Sequence, residues 1–246
     1  MQLSIIGTGS QGNAYVLGNQ DEALLIECGV NIKEIKKDLD FNLKKVVGCI
    51  VTHEHKDHSK SIKEISASGI DVYASAGTHI ACGTDMSHRA RVLINKVPVK
   101  IGGFKVLPFD VKHDAAEPMG FVINHKDCGN VLFLTDTYYS PYKFANLNNI
   151  IIEANFSQEI IDRKLAQGTS NEFLRNRILQ SHLSLENCVD LLSVNDLTNV
   201  NNIVLIHLSD TNSHEADFKR CIEVNTGKTV TVARNNMKIN FFKTPF

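Results

Sequence analysis

The chain has 246 residues, 43% hydrophobic and 22% charged, with a formal net charge of −1. This balance fits a soluble globular protein and excludes a disordered or collagen-like chain, and its bulk charge makes no electrostatic case for a nucleic-acid partner. Six scattered cysteines without a C-x-x-C pair, no basic leader and no apolar run of spanning length predict a reducing, cytoplasmic location with no membrane or obligate protein partner.

The elements run as follows. Leu3–Ile6 is predicted to be a strand, followed by a turn at Gly7–Asn13, where glycines tolerate positive φ. Tyr15–Leu17 and Ala23–Ile26 form a predicted hairpin. Ile32, Ile35 and Leu39 give helical spacing over Asn31–Leu39. Val46–Val51 is a buried strand, Ser59–Ser68 a helix with Ser59 as N-cap, Asp71–Ala74 a strand and Thr78–Cys82 a short helix. Strands are then predicted at Val92–Asn95, Val97–Ile101, Phe104–Phe109, Gly120–His125 and Val131–Thr135. Tyr142–Ala145 suggests a helical turn. Ile150–Glu153 and Asn202–His207 are apolar strands ending in a carboxylate and an imidazole. Gln158–Gln167, Asn171–Leu179, Leu185–Leu192 and Glu215–Glu223 have helical patterns, and Thr229–Ala233 and Lys238–Phe242 close the chain as strands. Without a linker or charge block, this predicts one domain over 1–246, α/β, built of two packed sheets with helices outside.

Chemistry concentrates in Thr52-His53-Glu54-His55-Lys56-Asp57-His58, where imidazole and carboxylate donors suit borderline divalent cations. His53 and His55 are two positions apart, so a regular helix cannot aim both at one ion, whereas an extended loop after a strand can. Further ligands are expected at later strand ends: His113, Asp136 and His207. His53, His55 and His113 would make one site. Asp57, His58 and His207 would make a second, with Asp136 bridging. Two such divalent ions, Zn2+ or Mn2+, would bridge a hydroxide nucleophile. Glu54 and Lys56 alternate with the ligands and are expected to face outward. His79, His88, His125 and His214 have no evident chemical partners in the sequence.

The order Thr52-His53-Glu54-His55-Lys56-Asp57-His58, a single His, Thr135-Asp136 and a late His resembles the metallo-β-lactamase superfamily over nearly the whole chain. The resemblance implies a four-layer αβ/βα sandwich, two mixed sheets face to face with helices outside and the metals at one edge. Gly9-Ser10-x-Gly12-Asn13-Ala14-Tyr15, His113-Asp114-Ala115-x-Glu117-Pro118-x-Gly120-Phe121, Glu153-Ala154-Asn155, Arg177-Ile178, His182-Leu183-Ser184-x-Glu186 and His207-Leu208-Ser209 are similar to the YycJ/WalJ-like group. That group implies a DNA exonuclease acting 5′→3′ on duplex. Two departures stand out: Glu27-Cys28-Gly29 replaces the usual Asp-x-Gly, and Thr169-Ser170-Asn171-Glu172 lacks the expected form before Arg177.

The resemblance also assigns roles. In related tRNA 3′-processing nucleases a strand-end Glu orients a His that donates a proton, which implies Glu153 and His182 here, with Asp57 both binding metal and orienting the nucleophile. Ser10, Asn13, Arg177 and Ser209 are the implied substrate-binding residues, and Arg89, Arg91 and Arg175 are further candidates for phosphate contacts. The amides of Gly9–Asn13 could hold a 5′-phosphate or form a tight turn. Two other readings stay open: a metal-dependent hydrolase of a thioester, lactone or cyclic phosphodiester, and a binding protein without turnover.

Overall fold

The structure is a computed structural model that describes residues 1–244. The first half contributes β1 (Gln2–Gly7), β2 (Ala14–Gly18), β3 (Ala23–Ile26), α1 (Ile32–Asp38), β4 (Val46–Ile50), α2 (Lys56–Ser59), α3 (Ile62–Ala67), β5 (Val72–Ala74), α4 (Ala76–Cys82) and β6 (Ala90–Val92). Next come β7 (Val99–Ile101), β8 (Phe104–Asp110), β9 (Met119–His125), β10 (Gly129–Leu134) and β11 (Leu147–Glu153). The rest is α5 (Gln158–Ala166), α6 (Glu172–Ser181), α7 (Leu185–Ser193), β12 (Asn202–Ile206), α8 (Glu215–Thr226), β13 (Val230–Val232) and β14 (Met237–Asn240).

Two seven-stranded sheets result, in the orders β14-β1-β2-β3-β4-β5-β6 and β13-β12-β11-β10-β9-β8-β7. Each is mixed. β3 to β6 run parallel, as do β10 to β13, and the remaining pairs are antiparallel. The inner faces share one core, with Leu3, Tyr15, Leu24 and Ile50 meeting Phe104, Phe121, Phe133, Ile151 and Val204. The outer faces carry helices. Ile35 of α1 and Ile65 of α3 cover Leu25, Cys49 and Val51. Leu191 and Leu192 of α7 and Phe218 and Ile222 of α8 cover Ile150, Ile152 and Leu205. This double coverage explains the unbroken apolar run Ile150-Ile151-Ile152: alternate side chains face opposite layers, and both layers are dry. The four-layer αβ/βα sandwich expected from the sequence is the fold found.

Local expectations failed where side chains reach outside their own segment. The helix after the histidine cluster begins at Lys56, with His55 in the N-cap position, and is broken before α3. Ser59 is therefore no N-cap, and its hydroxyl donates to Glu54 O at 2.7 Å. The predicted strand Val92–Asn95 ends at Val92, because Lys96 (φ 62) turns the chain and Val97 N bonds back to Ile94 O. The strand expected over Val97–Ile101 starts at Val99, beyond Pro98. Tyr142–Ala145 forms no helical turn; Tyr142 and Phe144 both turn onto Phe109, with ring centroids 5.7 and 5.0 Å away.

Candidate metal centre

Parallel strands in register end together, and ligands gather at their carboxyl ends. Glu153 pairs with Ile206, and Leu134 with Ile152, so Asp136, Glu153 and His207 emerge side by side. β4 ends opposite them in the other sheet and delivers the His53 loop. Three site residues, Glu27 (φ 62), Asp136 (φ 47) and His207 (φ 54), adopt left-handed backbone directly after strands. Such conformations cost on the order of 1–3 kcal/mol each and persist only when neighbours impose them. Here Asp136 N donates to Glu153 Oε2 at 2.9 Å, His207 N to Thr8 Oγ1 at 3.0 Å, and Asn155 Nδ2 to His207 O at 2.7 Å.

His53, His55 and His113 converge, with ring nitrogens all within 4.8 Å of one another. His113 Nδ1 lies 2.8 Å from Ser181 O, to which it can only donate, so its Nε2 lone pair is left facing His55 Nδ1 at 3.2 Å. His53 Nδ1 is 2.9 Å from Thr52 Oγ1, while its Nε2 is buried without a hydrogen-bond partner. An orphaned buried nitrogen costs about 1–3 kcal/mol, and a cation would satisfy it. Burial pushes the His53 imidazole well below its ordinary pKa, and His113 is lowered for the same reason. Both are thus held neutral, the form that ligates metal.

Asp57, His58 and His207 form a second converging group, and Asp136 joins a further one with His53 and His58. Asp136 Oδ2 is 2.9 Å from His58 Nε2 and 3.3 Å from His207 Nδ1, both of the second group, and it reaches the first through the group it forms with His53. Burial opposes ionisation of Asp136, yet His207 and His58 beside it hold its carboxyl well below the usual carboxylate range. Burial would likewise depress His207, but Asp136 and Glu153 outweigh it and raise His207 to about 9. Carboxylates and protonated imidazoles thus hold one another's charge where the donor set is suited to divalent cations.

Glu153 is fully buried at the end of β11. Its Oε2 accepts the amides of Asp136 and Leu183, at 2.9 and 3.0 Å, which aims Oε1 at His182 Nδ1, 2.8 Å away. His182 Nδ1 also lies 3.1 Å from Asp136 Oδ1. With Nδ1 committed to these carboxylates, the other ring nitrogen is the one left for the cleft. Burial disfavours a charged His182, but Glu153 and Asp136 prevail and lift it to about 10.

Ser10, Asp57, Arg177, His182 and Ser209 line a cleft of about 450 Å³ over these groups. Asn13 lies beneath the cleft and is buried. Its amide bonds Gly9 N and O, approaches His58 Nε2 at 3.3 Å, and accepts from Tyr15 Oη, so it is a strut of the site floor. The amides of Gly9, Gly12 and Asn13 are likewise spent inside the protein, as the tight-turn reading requires. Arg89 and Arg91 both bind Asp71, at 3.0 and 2.9 Å, and Arg175 binds Asp162 at 2.7 Å; these partners occupy the guanidinium groups considered for phosphate. Glu54 does not face outward: its Oε1 accepts Ala116 N at 2.8 Å and ties the His53 loop to the His113 loop. His79 and His125 are buried with partners of their own, Thr84 and Glu22.

Thr8, Thr52, Asn155 and the Ser181 carbonyl escaped sequence reasoning. Thr52 and Asn155 had a signal, their places in the Thr52–His58 and Glu153-Ala154-Asn155 motifs. Glu27 takes a clear position: its carboxylate accepts Thr52 N at 3.3 and 3.4 Å and lies 3.5 Å from His58 Nδ1. Behind it, Gly29 packs backbone to backbone on the ligand loop. A Cβ there would fall 1.7 Å from Asp57 O. Gly29→Ala is expected to push Asp57 and His58 out of place, costing about 2 kcal/mol or more as overpacking does. A calorimetric melt should show the lower midpoint and elemental analysis a loss of bound metal; an unchanged melt with full metal would refute the close packing.

The fold and the site together define a hydrolase of the metallo-β-lactamase superfamily. The chain belongs to this family: the family model described as beta-lactamase superfamily domain matches residues 22–208. It is 29% identical to exodeoxyribonuclease YycJ of Bacillus anthracis, over 87% of this chain and 85% of that protein. It is 30% identical to exodeoxyribonuclease WalJ of Streptococcus pneumoniae serotype 2, over 85% and 82%. The metallo-beta-lactamase fold protein YhfI of Bacillus subtilis superposes with a TM-score of 0.72 at 15% identity, covering 97% of this chain and 99% of that one.

Proposed function

We propose that this protein is a metal-dependent phosphodiesterase that removes nucleotides from DNA ends. The observation that carries the reading is the Glu153–His182 pair, a histidine held by a buried carboxylate at 2.8 Å and opening onto the cleft beside the candidate ligands. Departure of a nucleoside oxygen needs a proton, and a positioned imidazolium supplies one. The relatives named as exodeoxyribonucleases, matched over more than four fifths of both lengths, support DNA as the substrate.

His53, His55 and His113 would hold one cation, and Asp57, His58 and His207 a second, with Asp136 reaching both. When bound, such cations supply Lewis acidity toward the phosphate and lower the pKa of water. The chain's own groups do the rest. Asp57, at the cleft wall, accepts a hydrogen bond from the attacking water and orients it. His182 keeps Nδ1–H on Glu153 and donates from its other nitrogen to the leaving oxygen. Arg177, exposed on the cleft rim, meets a non-bridging phosphate oxygen, and Ser10 and Ser209 lie close enough to add polar contacts.

The test is digestion of 5′- and 3′-labelled duplex DNA, single-stranded DNA and RNA in zinc, manganese or magnesium. DNA is expected to shorten from an end in zinc or manganese, with binding that weakens as salt rises. Internal cuts alone, or no DNA cleavage in any metal, would defeat the proposal.

A further inference from the structure

Helix α6 runs along the cleft and ends at His182. Leu174, Arg177, Ile178 and Ser181 line the cleft at the i, i+3, i+4, i+7 spacing of one helical face. Phe173 sits one turn before Arg177 on the flank of that face. Its ring is 80% exposed, and Leu174 beside it is 45% exposed. Arg163 and Arg175 on these helices have acidic partners, at 3.8 and 2.7 Å, but Arg177 makes no ion pair among the described residues. An exposed apolar side chain just beyond the cleft lining and a guanidinium on that lining, without an ion pair among the described residues, lie four residues apart.

Resting on the nuclease reading above, we infer that Phe173 is a stacking platform for an unpaired base of the DNA strand, while Arg177 holds a neighbouring phosphate. A nucleic acid alternates flat apolar faces with anionic links, and this rim offers the complementary pair. Eight residues separate Phe173 from Ser181, roughly 12 Å along the helix. The stacked base therefore belongs to a nucleotide away from the scissile bond, and Phe173 is a positioning residue that sets binding. An interior base has both faces covered by its neighbours, so one that meets this ring has left the duplex stack, as in a frayed or single-stranded end.

Phe173→Ala should raise KM for DNA by about tenfold, as loss of one stacked base does, with kcat retained. Hydrolysis of bis(p-nitrophenyl) phosphate, which carries no base, should be unchanged. The chain contains no tryptophan, so Phe173→Trp introduces a single indole that can be excited at wavelengths where its tyrosines do not absorb. A phosphorothioate oligonucleotide that resists cleavage should quench it, an abasic strand of equal length should not, and Trp placed at exposed Phe41 should respond to neither. Equal quenching by the abasic strand, or an unaltered KM in Phe173→Ala, would overturn the platform. Failure of the intact enzyme to digest DNA would sink the nuclease reading instead, and the fluorescence titration reads base contact independently of cleavage.

Discussion

Replacing His53 and His55 together with alanine is expected to at least halve the metal bound per chain and to lower turnover by more than ~10²-fold. Changes to groups that only support a metal ligand already cost about 10–100-fold in affinity or activity, and two direct donors should cost more. The loss follows from geometry. His53 Nε2 is buried with no partner, and His113 Nε2 is aimed at His55. Without both rings, the first group retains a single imidazole. Asp57, His58, Asp136 and His207 remain, so the second group should still bind. Elemental analysis after exhaustive dialysis decides the matter, and full metal retention would defeat the assignment.

Binding should also release protons. His207 is raised to about 9, so at neutral pH it is protonated in the metal-free protein. A ligating imidazole must be neutral, so the cation displaces that proton, and affinity should rise as pH climbs toward 9. His53 and His113 are already lowered and contribute no proton. Titration calorimetry in buffers of different ionisation enthalpy measures the release. A buffer-independent heat would contradict it.

His182→Ala is expected to keep the metals and lose ~10²–10⁴-fold in kcat on DNA, the usual contribution of a positioned general acid. His182 stands outside the three-histidine group, and although it converges with Asp136, Glu153 and His207, its Nδ1 is taken by the Glu153 and Asp136 carboxylates. The defect should largely disappear with bis(p-nitrophenyl) phosphate, because nitrophenolate departs without a proton. This contrast separates proton donation from simple damage to the site, which would slow both substrates. Glu153 keeps its two amide donors in the variant, so its burial remains supported. Metal loss, or an equal defect on both substrates, would make His182 a ligand or a structural residue.

The candidate donors that converge could be picked out in the sequence because they sit where strands stop. An apolar run interrupted by Asp136, Glu153 or His207 marks both the end of a buried strand and a polar group at the sheet's edge. The spacing of His53 and His55 excluded a regular helix there, and the structure holds both in the loop before α2, which carries Asp57 and His58. Partner choice was far less legible. Asp71 lies 18 and 20 positions from the arginines it neutralises, and Glu54 is 62 positions from the amide it holds. Asn13 carried a family signature but serves the floor and not the cleft. Its role depends on where Gly9 and His58 meet, which no local pattern encodes.

By itself, the sequence determined most of the alternation of strands and helices, the candidate donors and their order along the chain. Those features are local: periodicity of two or 3.6, and side-chain chemistry. Tertiary structure decided which candidate donors converge, that Arg177 has no ion-pair partner among the described residues, and that Phe173 is exposed. Register placed Glu153 beside Ile206 and so brought Asp136, Glu153 and His207 to one edge. Left-handed backbone at Asp136 and His207 then turned them toward the His53 loop of the opposite sheet. The physical reason is that convergence needs the packing of two sheets through a common core, a balance of burial summed over the whole molecule.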